Sequence, residues 1–326
     1  MGGRNFLPSM RGTASSARNS PYPRAAGHAL PIGPRATSAP GSSVERVSIE
    51  ILRYTAFASE PGGGNPAGIV LDAADLSDDE MQAIAREVAY PETAFVVGQT
   101  PTGPHVRYFS PGAEVPFCGH ATIATAVVLA ERDGLGQRVF TTAAGDITLD
   151  ATATPDGTVQ VAMTSVEPSM RPLDPTLRDR LFGLLGLVPD DVAEGFPVLE
   201  SFAGNWHPVV VLADEQLFHQ FRFAPAHLAD LMLEAGWSGT VTVLHRTAPL
   251  EYEARNLFPV GRITEDPATG SAAAATGAYL REVGAVAPDD RVVIRQGRHV
   301  GRPSVLLVDV PATGGITVTG GATPIR

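Results

Sequence analysis

Residues 265–271 read Glu265-Asp266-Pro267-Ala268-Thr269-Gly270-Ser271 and run straight into Ala272-Ala273-Ala274-Ala275-Thr276-Gly277-Ala278-Tyr279-Leu280. A short polar turn carrying Pro and Gly thus feeds a segment that is small or apolar on every side, the pattern of a loop leading into a buried helix. Free backbone N–H groups at the start of such a helix, together with its dipole, make an anion site. Asp266 stands beside that site with no basic neighbour in sequence. The bland alternative is that Asp266 or Thr269 merely caps the helix.

The motif has a partner 148 positions earlier. Sliding the chain along itself by that offset lays Arg107 on Arg255, Pro111 on Pro259, Ala124 on Ala272, Ala126 on Ala274 and Gly136 on Gly284, and drops Cys118 onto Asp266. Each copy reads as a strand with Arg, then Phe and Pro, a turn, and an Ala-rich apolar helix, so the chain reads as two related halves. If the halves pack face to face, both helix N-termini point into one cleft, with Cys118 and Asp266 facing each other across it.

The 326 residues suffice for two domains with real cores, and 44% hydrophobic with 18% charged residues is the balance of a soluble globular protein. No stretch is apolar enough to span a bilayer, so no membrane partner is expected. The net charge of -11 argues against nucleic acid as a partner. Every basic residue is Arg. Without lysine there is no pyridoxal Schiff base, no phosphate-binding P-loop and no amine nucleophile. A single cysteine allows no internal disulfide and no thiolate metal cluster, which suits a cytoplasmic location. It also prevents two thiols from acting on opposite faces of a substrate.

Residues 1–46 are rich in Ser, Ala, Gly, Pro and Arg without periodicity and read as a disordered tail. Order is expected from Ile49–Phe57, a strand. The Gly62-Gly63-Gly64-Asn65-Pro66-Ala67-Gly68 run is followed by strand pattern rather than a helix, so it reads as a tight turn at a pocket wall and not a dinucleotide fingerprint. Ser77-Asp78-Asp79-Glu80 has capping-box form before a helical repeat of Met81, Ile84, Ala85 and Val88. Glu92 then stands at the mouth of an apolar strand, where half-burial would raise its pKa and fit it to shuttle protons near neutrality. Cys118-Gly119-His120 opens the first buried helix, where a thiolate would be favoured and a His can donate to an anion. The other histidines, His219 and His227 among them, show no metal-ligand spacing. Val139–Ala151 and Val159–Met163 read as strands. Residues 165–175 cross between domains. Helices follow at 177–185 and 226–235, and strands at 198–202, 208–212, 240–245, 252–257, 292–296, 304–310 and 316–319. The order is α+β, with antiparallel sheets each curled around one helix. The expected divisions are an N-terminal domain at 47–164, a C-terminal domain at 165–311, and a final strand within 312–326 returning to the first.

Five motifs, Gly64-Asn65-Pro66-Ala67, Glu92-Thr93-x-Phe95, Cys118-Gly119-His120-Ala121-Thr122, Glu265 to Ser271, and Gln296-Gly297 with Gly301-Arg302-Pro303-Ser304, resemble the phenazine-biosynthesis (PhzF-like) isomerase family from about residue 47 to the end. The resemblance implies a diaminopimelate epimerase-like fold, two pseudo-symmetric domains each a β-barrel-like sheet around a central helix, with the active site between them. It implies a cofactor-independent homodimeric isomerase with no metal, of which the founding activity is a proton shift on dihydro-3-hydroxyanthranilate. Residue by residue it implies Glu92 as general acid/base, with His120, Asp266 and Ser271 as further catalytic residues. In the related epimerases both facing positions are cysteines, whereas here they are Cys118 and Asp266.

These readings converge on a small carboxylate-bearing substrate held against the N–H groups around Gly119-His120 and Gly270-Ser271, with Asn65 and Cys118 lining the pocket. Two alternatives stand beside them: a racemase, epimerase or dehydratase that uses Cys118 as a base, and a non-catalytic binding or scaffold protein on the same fold.

Overall fold

The computed structural model describes residues 49–326, so the tail expected over 1–46 lies outside the described residues. The first lobe runs β1 (Leu52–Ala56), β2 (Asn65–Val70), α1 (Asp78–Val88), β3 (Glu92–Gln99), β4 (Pro104–Phe109), β5 (Glu114–Val115), α2 (Gly119–Asp133), β6 (Gly136–Thr142), β7 (Gly145–Ala153) and β8 (Val159–Thr164). The second runs β9 (Ser169–Pro172), α3 (Pro175–Leu185), β10 (Leu199–Phe202), β11 (Trp206–Leu212), α4 (Glu215–Gln220), α5 (Pro225–Ala235), β12 (Val241–Ala248), β13 (Glu251–Leu257), β14 (Glu265–Asp266), α6 (Gly270–Glu282), β15 (Asp290–Gln296), β16 (Ser304–Val310) and β17 (Thr317–Pro324).

Strands β1, β2, β3, β4, β6, β7, β8 and β17 hydrogen-bond in that circular order and close into a barrel. Inside it lies α2, every residue of which is buried from His120 to Ala130. The second lobe repeats the plan, with β9, β10, β11, β12, β13, β15, β16 and β17 forming a continuous sheet. Its helix α6 packs against β10, β11, β16 and β17. A helix enclosed by strands has no wet face, which explains why both are apolar all round. Their Ala and Gly content permits close approach. A methyl added at Gly277 would sit 2.7 Å from Val308 Cγ1 and 2.8 Å from Ile316 Cγ2.

The expectation of purely antiparallel sheets is corrected. Pairs β2–β3, β4–β6, β11–β12 and β13–β15 are parallel. A parallel pair needs a long crossover, and helices occupy all four intervals: α1, α2, the α4–α5 pair and α6. The strand expected over Val139–Ala151 is two strands, β6 and β7, turning at Ala143-Ala144 into Gly145 at φ 108°. The crossing at 165–175 includes β9, antiparallel to β10.

On the outside, α1 opens with the capping box foreseen at Ser77 and Glu80 and buries Met81, Ile84, Ala85 and Val88 against Phe95 and Phe109. In the second lobe, α3, α4 and α5 form the corresponding outer layer, with Phe182, Phe218, Leu228 and Trp237 in its core. Strand β17 pairs with β8 through residues 317–321, and with β16 through 317–319 and β1 through 322–324. No helix among the described residues is long and apolar enough to cross a membrane.

Candidate active site

The duplicated loops carry a duplicated ion pair. Arg107 on β4 meets Glu114 on β5 at 2.7 Å, and Arg255 on β13 meets Glu265 on β14 at 2.6 Å. The offset of 148 therefore holds for the arginines. Between arginine and glutamate, however, the second loop carries three extra residues, and from there the offset is 151. The N-cap of α2 is Cys118, and that of α6 is Thr269, not Asp266. Thus Gly119 corresponds to Gly270 and His120 to Ser271, while Asp266 has Val115 as its counterpart. The alignment of Cys118 on Asp266 is corrected accordingly. The helix N-termini do meet, since a methyl added at Gly119 would lie 3.9 Å from Gly270 Cα.

The inserted residues fold the loop back so that Asp266 enters the junction. Its Oδ1 accepts from Asn65 Nδ2 at 2.9 Å, and its Oδ2 from the Thr269 hydroxyl at 2.6 Å. Asn65 also donates to the Ala268 carbonyl at 3.0 Å, which ties the start of β2 to the loop of the other lobe. Gln296 Nε2 donates to the Asp266 carbonyl at 2.7 Å and to Thr269 Oγ1 at 2.9 Å. The next residue, Gly297, has φ 81°, and a side chain there would strike the Arg302 and Pro267 carbonyls. Asp266 is thereby a held group rather than a cap, and Thr269 makes no side-chain cap bond either.

Across the junction, Glu92 begins β3, and its carboxylate Oε2 lies 3.4 Å from His120 Nε2 and accepts from the Cys118 thiol at 3.4 Å. Cys118 Sγ is also 3.4 Å from His120 Nδ1. Glu92 keeps 21% side-chain exposure, His120 only 7%. Burial, reinforced by the negative Asp266, raises the Glu92 carboxyl to about 7, against a smaller opposing effect of the Cys118 bond. Burial likewise raises Asp266 to about 6, opposed by its bonds to Thr269 and Asn65. His120 is driven down to about 3 by burial and is neutral, with a ring N–H bonded to the backbone of Pro66, which has only a carbonyl to offer. The Cys118 thiol is pushed well above its ordinary value, first by burial and then by Glu92. The favoured thiolate expected at this helix N-terminus is thus corrected: two carboxyls beside a buried sulfur outweigh the dipole.

Ser271 is the single residue of 270–280 that is not buried. Its hydroxyl meets Nε2 of His207 at 3.1 Å, while His207 Nδ1 accepts from the Thr240 backbone N–H at 3.0 Å. His207 is fully buried and neutral, its pKa lowered to about 4 by burial. Behind it, the hydroxyls of Thr240 and Thr242 both donate to Asn256 Oδ1. The sequence reading missed His207, Gln296's role and Thr269's. The only signal for His207 was its place opposite Ser271 in the fold, which spacing does not reveal.

The structure thus joins Glu92, Cys118 and His120 in one contacting group and Asn65 and Asp266 in another, near enough for the Asp266 charge to act on Glu92, with Gly119, Gly270 and Ser271 at the abutting helix starts. The donor atoms of Glu92, Cys118 and His120 all lie within 4.8 Å of one another and could hold a metal ion. The buried Oδ1 of Asn65 has no partner among the described residues.

Residues 54–326 match the family described as "Phenazine biosynthesis-like protein". A Bacillus subtilis protein named uncharacterized isomerase YfhB is 31% identical over 282 residues, covering 84% of this chain and 95% of its own. The trans-2,3-dihydro-3-hydroxyanthranilate isomerase of Pseudomonas chlororaphis is 30% identical, covering 77% and 86%. A crystal structure of the Bacillus anthracis phenazine biosynthesis protein of the PhzF family superposes with a TM-score of 0.75 at 25% identity, covering 85% of this chain and 97% of that one.

Proposed function

Because this chain belongs to the phenazine biosynthesis-like (PhzC-PhzF) family, we propose that it is an isomerase that moves a proton on a small carboxylate-bearing substrate, with Glu92 as the carrier. The observation that carries this reading is the Glu92 carboxyl itself, held at about 7 at the meeting point of the two helix N-termini. A carboxyl poised there takes a proton from an activated C–H and returns it to another carbon on the same face, and such assistance contributes roughly 10²- to 10⁴-fold. The substrate carboxylate docks on the N–H groups at Gly119-His120 and Gly270-Ser271, where both dipoles present their positive ends. Neutral His120 and the protonatable Asp266 hold the polar substituent, and the Ser271 hydroxyl, with His207 behind it, donates to it. The name of the Pseudomonas relative makes cyclic amino- and hydroxy-carboxylic acids the first substrates to try.

The test is a survey of such acids for solvent deuterium incorporation. Wild type is expected to label at least one of them, and Glu92→Gln to label it at least roughly 100-fold more slowly. Equal labelling by the variant refutes the assignment. A Cys118-dependent racemase would instead lose labelling in Cys118→Ala with Glu92 intact, and binding without labelling in any protein would favour a scaffold.

A further inference from the structure

We propose that Gln296, at the end of β15, is a positioning residue for the reaction: through the Thr269 hydroxyl it aims the bond that holds one oxygen of Asp266. Its bearing on turnover rests on the part given to Asp266 above; the positioning itself rests on geometry alone. Asp266 and Gln296 are neighbours along one strand edge, because β14 and β15 both pair with β13, Asp266 opposite Asn256 and Gln296 opposite Ala254. Gln296 is only 3% exposed, and its amide can stand only one way. The Thr269 backbone N–H, which can only give, meets Oε1 at 3.3 Å, and the Asp266 carbonyl, which can only take, meets Nε2 at 2.7 Å. The other Nε2 proton goes to Thr269 Oγ1 at 2.9 Å. The single hydroxyl proton of Thr269 is then left for Asp266 Oδ2, 2.6 Å away. Removing the amide frees that hydroxyl to turn elsewhere.

The alternative for that hydroxyl is the helix. Thr269 is the N-cap of α6, a position from which Thr ordinarily offers its oxygen to an N–H of the first turn, yet here it makes no such bond. Gln296 thus does two things at once: it keeps a donor on Asp266, and it keeps the first N–H groups of α6 clear of a side-chain cap. The other Asp266 oxygen is held separately. Asn65 Nδ2 donates to Oδ1, and the neighbouring Gly64 carbonyl accepts from Arg302 Nε at 2.6 Å, while the Arg302 backbone N–H closes the β15–β16 turn onto the Gly297 carbonyl at 3.0 Å. Loss of the Gln296 amide therefore acts on Oδ2 alone. Both bonds favour the ionised carboxylate, and the titratable groups on which its charge acts are Glu92 on β3 and Cys118 at the head of α2. The adjacent Glu265 is turned to Arg255. With the Thr269 hydroxyl turned away, Asp266 stays protonated to a higher pH, and a neutral Asp266 loses its push on Glu92.

The experiment uses the full chain with carbon-13 in its aspartate carboxyls, read by NMR across pH without substrate, the Asp266 signal being the one lost in Asp266→Asn. Gln296→Met and Thr269→Val should each move the Asp266 midpoint up by about one pH unit, the worth of one hydrogen bond to a charged group. Because Gln296 acts through Thr269, the double variant should titrate no higher than Thr269→Val alone, whereas independent effects would add. Thr269→Ser keeps the hydroxyl and should titrate as wild type. Gln296→Glu keeps the shape, competes as an acceptor for the same hydroxyl and should move Asp266 at least as far, a check that does not depend on the Met variant folding. An Asp266 midpoint unmoved in Gln296→Met, or shifts that add in the double variant, overturns the proposal. In turnover, the pH profile of deuterium labelling by Gln296→Met should follow its NMR midpoint. If the midpoint moves and the labelling profile does not, the positioning of Asp266 stands and the part given to Asp266 in the reaction fails.

Discussion

Replacing Glu92 with Gln should stabilise the protein above neutral pH while destroying the chemistry assigned to it. The native protein holds the Glu92 proton up to about pH 7, against an ordinary value of 4.5 that the unfolded chain approaches. Between those limits the folded state binds a proton that the unfolded state has released, so rising pH favours unfolding. Stability from this group is complete below about pH 4.5 and is lost as the pH climbs through 7. At about 1.36 kcal/mol per unit, the whole difference is about 3 kcal/mol, of which roughly 2–3 kcal/mol falls between pH 5 and pH 8. Gln cannot ionise and so escapes that loss. Urea unfolding of wild type and Glu92→Gln, measured at several pH values between 5 and 8, should show the variant's relative stability growing by that amount, with no substrate needed. Two curves that run parallel across the range would show that Glu92 titrates in the native protein as it does in water, and the burial argument would fall.

The two ion pairs that mark the repeat should behave differently when broken. Arg255 and Glu265 retain only 5% and 10% side-chain exposure, and Arg255 also donates to the Phe218 and Phe221 carbonyls and stacks on Phe221. Arg255→Met should therefore cost about 3–5 kcal/mol in urea unfolding. Arg107→Met, at the more exposed copy, where Arg107 and Glu114 keep 22% and 38% exposure, should cost no more than about 1 kcal/mol, and equal losses would refute the distinction. Gly277→Ala places a methyl against three branched side chains and should cost about 1–3 kcal/mol, whereas a neutral result in the same assay would mean that β16 gives way easily.

Much of this was legible in the chain, and for definable reasons. Enclosed helices are apolar all round, so 119–133 and 270–282 announced themselves, and the arginine strands that precede them fixed the duplication. The capping box at Ser77 was a local signal with a local cause. What spacing hid was the three-residue expansion after Arg255, because an alignment on alanines slides freely. That expansion is what carries Asp266 into the junction while Thr269 takes the cap position. The β6–β7 turn escaped because Ala-Ala-Gly carries no strong hairpin signature. The parallel pairings escaped because a strand's pattern does not state its neighbour's direction. His207 escaped since a buried histidine at the start of an apolar strand looks like packing until Ser271 is seen against its ring.

The dual pairing of β17 has a consequence for how the protein is made. The first barrel cannot close until residues 317–324 arrive to bridge β1 and β8, so it waits until the whole of the second lobe's chain between Thr164 and Thr317 has been made. Until then the nascent first half presents two unpaired strand edges, an opening for chaperones or for wrong partners. Removing residues 317–324 should deprive both lobes of a strand at once, so that neither half survives as a separable module.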